Sequence, residues 1–137
     1  MEKNNSLGSS LIETIASSEA TGVAQDLAEI AIDSVLNEGL LKDIPIISWI
    51  VGMSKTILAI RDHLLIRKIL LFLKGIDDIK EADRAKFLTE MNQDENYKRQ
   101  IGEQLIMLLD RLDSLDKPNL IAKLFKAYLK HDITLDE

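Results

Sequence analysis

Cysteine is absent, proline occurs twice, and aromatic side chains are limited to one Trp, two Tyr and three Phe in 137 residues. Without thiols there is no disulfide framework, no thiolate metal site and no cysteine nucleophile, and the chain fits a reducing compartment. Pro45 and Pro118 both stand where a helix would begin, since a locked φ and a missing N–H are harmless in a first turn. The scarcity of aromatics, and of β-branched residues other than Ile, speaks against sheet. An excess of basic charge is also missing. A net charge of −6 argues against a nucleic-acid partner, because phosphate binding draws its affinity from clustered Lys and Arg. The longest uncharged run, Ile44 to Ser54, is about half of the roughly 20 apolar residues that a membrane span requires. The opening MEKNNSLGSS lacks the basic-then-apolar layout of a signal peptide, so the expected location is the cytoplasm, with a peripheral position on the inner face of the membrane as the alternative.

What the sequence does have is Leu, Ile and Ala in helical patterns. The stretch from about 44 to 74 is the most apolar, and it carries two stripes: Ile46, Ile50, Met53, Ile57, Ile60, Leu64 and Leu71, and Ile47, Val51, Leu58, Leu65, Ile69 and Phe72. Two stripes require neighbours on two sides, which makes this the expected central helix. It is basic in an acidic chain, with Lys55, Arg61, Arg67, Lys68 and Lys74 against Asp62 alone. Charges set in apolar sequence need partners. Arg61 and Lys68, seven residues apart, are expected to pair with carboxylates of outer helices. Trp49, Lys55, Arg61, Asp62, Arg67 and Lys68 are therefore the candidate interaction residues.

Around that centre the pattern predicts further helices. Leu7, Leu11, Ile12 and Ile15 form a short apolar face capped by Asn5 or Ser6, among Ser, Thr, Ala and Gly residues of modest helix propensity; residues 1–22 are expected to be weakly ordered. A second helix runs from Val23 to Glu38 and stops at Gly39. Gly75 ends the central helix, and Asp78 with Glu81 reads as a capping box opening a helix through Met91. Tyr97, Ile101, Leu105, Leu108, Leu112 and Leu115 recur at spacings of 4, 4, 3, 4 and 3, predicting a helix over about 95–113 with those residues inward. Asp116 and Pro118 open a last helix with Ile121, Leu124, Phe125 and Tyr128 inward. Thr134-Leu135-Asp136-Glu137 is a capping box with no helix after it, so either the natural C-terminus lies beyond residue 137 or a helix has been lost.

The expectation is a single all-α domain over 1–137, a compact bundle of five or six helices around the central element. His63 and His131 lack ligand-spaced partners, the acidic run Asp77, Asp78, Glu81, Asp83 lacks the order of a calcium loop, and Gly-rich phosphate loops and serine elbows are missing. The reading is accordingly a non-enzymatic protein-interaction module, self-associating, with no cofactor, metal or small-molecule substrate. The alternative is a membrane-acting effector that releases the amphipathic helix 44–74 to anionic lipid.

The segments IPIISWIVGMSKTILAIRDHLLIRKILLFL, EADRAKFL and DKPNLIAKLFKAYLKHDITLDE together resemble, over about 44–137, a set of small uncharacterised bacterial all-helical proteins. The last segment also loosely resembles helical modules of the tellurite-resistance B type, whose acidic metal-binding pattern is not matched. The resemblance implies an all-helical fold and carries over no activity and no site residue.

Overall fold

In a computed structural model of the chain, residues 7–27, 44–47 and 60–129 are described, and every regular element among them is helical. The elements are α1 (Leu7–Ile15), α2 (Ser18–Leu27), α3 (Ile60–Gly75), α4 (Glu81–Asn92), α5 (Glu95–Arg111) and α6 (Pro118–Leu129). The all-α bundle is as the composition implies. Helical backbone also begins at Pro45, where the Ile47 amide donates to the Ile44 carbonyl at 3.0 Å. The stretch between residues 47 and 60, and with it the continuity of the expected 44–74 helix, lies outside the described residues, as does the helix expected beyond Leu27.

The core forms around α3. Ile66, Ile69, Leu70, Phe72 and Leu73 are fully enclosed, and α3 packs against α2, α5 and α6. Phe125 of α6 presents its ring edge-on to Phe72 at 5.9 Å and to Phe87 of α4 at 5.3 Å between centroids. Such edge-to-face pairs add to the area they bury. The helix ends at Gly75 as expected, and glycine is needed there because a Cβ would lie 2.6 Å from that of Ala122 on α6.

In the N-terminal segment, α1 is buried on Gly8, Ser9, Ser10, Leu11, Ile12, Thr14 and Ile15. It lies backbone to backbone on α5, because a Cβ at Gly102 would sit 2.7 Å from the Gly8 Cα and closer still to its carbonyl. The small residues that lower helix propensity are thus the ones that allow this approach. Their hydroxyls are satisfied: Thr14 donates to the Ser10 carbonyl at 2.8 Å and accepts from the Ile46 amide at 3.1 Å. The first helix is also shorter than expected. It breaks after Ile15, and the Ser17 hydroxyl accepts from the Ala20 amide at 3.1 Å, capping α2 well before Val23.

Three further expectations are corrected. Asp78 does not cap α4; Lys80 is the N-cap residue, with no side-chain bond, and Asp78 pairs with Lys126 at 3.2 Å instead. On α5 the helix exists as read, with Asp94 capping it by accepting from the Asn96 and Tyr97 amides, but its inner face is rotated. Lys98, Ile101, Gly102, Leu105, Ile106 and Leu109 are buried, whereas Tyr97, Leu108 and Leu115 are exposed. On α6, Pro118 lies in the first turn and Phe125 faces inward as expected, while Leu124 faces out.

Candidate interaction surface

Of the six candidate residues, Trp49 and Lys55 lie outside the described residues, as do the side chains of Arg61 and Asp62. Arg67 is half-buried on α3. Lys68 is buried, and its partners are not the carboxylates expected of it. Its ammonium donates to the carbonyls of Asp110 at 3.1 Å and Leu112 at 2.8 Å, at the C-terminal end of α5. Carbonyls of a last helical turn have no partner within their own helix and carry the negative end of its dipole, so a cation there satisfies both needs. Lys68 therefore holds two helices together and is not available to a partner.

The same logic governs a residue the sequence reading passed over. Arg84 on α4 is 1% exposed, with its guanidinium set among backbone carbonyls. Nε donates to Ile79 at 3.1 Å, Nη1 to Ile15 at 2.7 Å, and Nη2 to Ile76 at 2.9 Å and Asp77 at 3.1 Å. It closes the end of α1 and the turn between α3 and α4 at once. Burial pushes its pKa below the ordinary arginine value, while nearby Asp77, Glu81 and Asp78 act in the opposite direction. Its signal in the sequence is slight, since carbonyl partners leave no complementary charge to find. Lys98 is similarly enclosed, bonded to the Glu13 carboxylate and to the Asn92 amide oxygen, the latter at 2.9 Å.

These cations are structural, which leaves two surface features. A cleft of about 360 Å³ is lined by Asp78, Ile79, Lys80, Asp83, Lys126 and Leu129 among others, at the start of α4 and the end of α6. Acidic and basic groups alternate around it, and the Asp78–Lys126 pair already spans part of it. It concentrates neither sign of charge and contains no nucleophile beside a base. Among the described residues no group of three or more His, Asp or Glu side chains could hold a metal ion, and no helix is long and apolar enough to cross a membrane.

The second feature is apolar. Leu120 and Leu124, one turn apart on α6, are 54% and 55% exposed, and Leu115 in the turn leading to them is 45% exposed. Beside them stand the exposed Asp116 and Lys123. Met107 and Leu108 of α5 and Leu64 of α3 add further exposed apolar area. Leucines at helical spacing on the outer side of a helix gain hydrophobic energy when another apolar surface covers them. Comparison with family models, with curated proteins and with solved structures finds no match.

Proposed function

We propose that this chain is a non-enzymatic helical interaction module that self-associates in the cytoplasm. The observation that carries the reading is the exposure of Leu115, Leu120 and Leu124 on a bundle whose own core is filled by other residues. Leaving several leucines half in water forgoes about 1 kcal/mol or more each. A second copy would recover part of that on both chains at once. The acidic surface and the mixed charges of the cleft support a protein contact over a phosphate-bearing one.

The membrane-acting alternative receives less support. Releasing the 44–74 element to lipid would strip Ile66, Ile69, Leu70, Phe72 and Leu73 from the centre of the core and break the bonds from Lys68 to the end of α5. The test is sedimentation equilibrium over a range of concentrations, with anionic liposomes as a parallel arm. A concentration-dependent rise to twice the chain mass, with protein left in the liposome supernatant, is expected. A strict monomer at all concentrations, or co-sedimentation with liposomes, would overturn the proposal.

A further inference from the structure

The exposed face of α6 is self-complementary, and this deepens the self-association reading on which it rests. Leu120, Lys123 and Leu124 are exposed on α6, and Leu115 and Asp116 are exposed in the turn that leads into it. The acidic group stands at the N-terminal end and the basic group toward the C-terminal end. Neighbouring charges are already engaged: Lys117 bonds Asp113 at 2.7 Å, holding that carboxyl below the usual range, and Lys126 bonds Asp78. Among the described residues the side chains of Asp116 and Lys123 have no such partner. The face therefore offers an apolar centre between one unpaired negative and one unpaired positive charge.

We infer that two copies of the chain pair antiparallel along α6 and its leading turn, about a two-fold axis midway between Asn119 and Leu120, with Leu115 against Leu124 of the second copy and Asp116 against its Lys123. A two-fold axis at that point sends each of these residues onto the other, so one contact forms twice, as an isologous interface requires. The four outer leucines then bracket the central pair of Leu120 side chains, and the two ion pairs lie at the rim. A parallel arrangement would set Asp116 beside Asp116 and Lys123 beside Lys123, with the helix dipoles aligned unfavourably. Antiparallel pairing removes both conflicts. With a single short helix on each side the interface is smaller than a standard one, so dissociation on dilution is expected.

The test uses charge reversal at two exposed positions whose side chains bond no other described residue. Asp116→Lys and Lys123→Asp, each alone, should weaken association by about tenfold, and the variant carrying both should restore it. The absence of native cysteine allows a geometric check. On mild oxidation, an equimolar mixture of Leu115→Cys and Leu124→Cys chains should form a disulfide-linked mixed dimer faster than either chain alone. If the wild-type chain is monomeric, the self-association reading itself fails. If it dimerises but is indifferent to charge reversal, or cross-links no faster in the mixture, that reading stands and this pairing is wrong.

Discussion

The guanidinium of Arg84 donates to the carbonyl oxygen of Ile15 at 2.7 Å, across 69 residues of sequence. Three further carbonyls, at positions 76, 77 and 79, accept from the same side chain. Arg84→Met keeps much of the volume but leaves the carbonyls of Ile15, Asp77 and Ile79 without this donor, Ile76 retaining the Ile79 amide, and should cost at least about 3 kcal/mol. Arg84→Lys, with one ammonium in place of a fork, should fall between methionine and wild type. Urea melts followed by circular dichroism give the order; equal stability of the Met and wild-type proteins would remove Arg84 from the account of the fold.

Gly102→Ala should destabilise by about 1–3 kcal/mol even though alanine is the better helix former by about 1 kcal/mol, because the added methyl meets the Gly8 backbone and neither helix can yield locally. Gly22→Ala is the matched control. Its nearest neighbour would be an Asp77 carboxylate oxygen at 3.9 Å, so the same substitution should stabilise by about 0.5–1 kcal/mol. Opposite shifts in thermal midpoint confirm the close approach of α1 and α5.

On α5, adjacent leucines should respond in opposite ways. Leu109 is fully buried and Leu108 is 49% exposed, so Leu109→Asp should unfold the domain while Leu108→Asp changes stability by less than about 0.5 kcal/mol. Lys98→Ala should cost about 1–3 kcal/mol through lost packing of the enclosed stem, and Lys98→Met should cost less. Chemical denaturation of the four variants ranks them.

Burial first, then the neighbouring Tyr97 and Glu90, push the Tyr128 phenol up from 10.0 to about 12. Between those two values the folded chain keeps a proton that the unfolded chain has lost, so stability should fall as pH rises from about 10 to about 12 and be unaffected by this group below that window. Absorbance at the tyrosinate band, recorded for native and urea-unfolded protein, should show the late-titrating phenol only in the former. Tyr97→Phe should bring that titration to lower pH.

The helical class and most helix positions were legible because they depend on composition and on the period of Leu and Ile. The orientation of α5 was not. The 4, 4, 3, 4, 3 spacing that ends at Leu115 ranks residues by hydropathy, whereas the inner face is decided by what α1 can approach, namely Gly102 and the stem of Lys98. For α1 the apolar face was legible, and its serines and glycine, which weaken an isolated helix, are the residues that let it approach α5 closely. Lys68 was singled out as needing a partner, yet its acceptors are main-chain carbonyls that no charge pattern marks. The leucine stripe on α6 was visible as Leu124 with Ile121 and Phe125; only three-dimensional burial separates the member that faces out.

The seat of α1 is built from a helix that begins at Glu95, so α1 leaves the ribosome well before the helix that completes it. At about 5–20 residues per second, the nascent chain carries Leu11, Ile12 and Ile15 without their seat for about 5–20 s. Throughout that interval their apolar face is open to chaperones or to a neighbouring nascent chain, and docking α1 is the step that withdraws it.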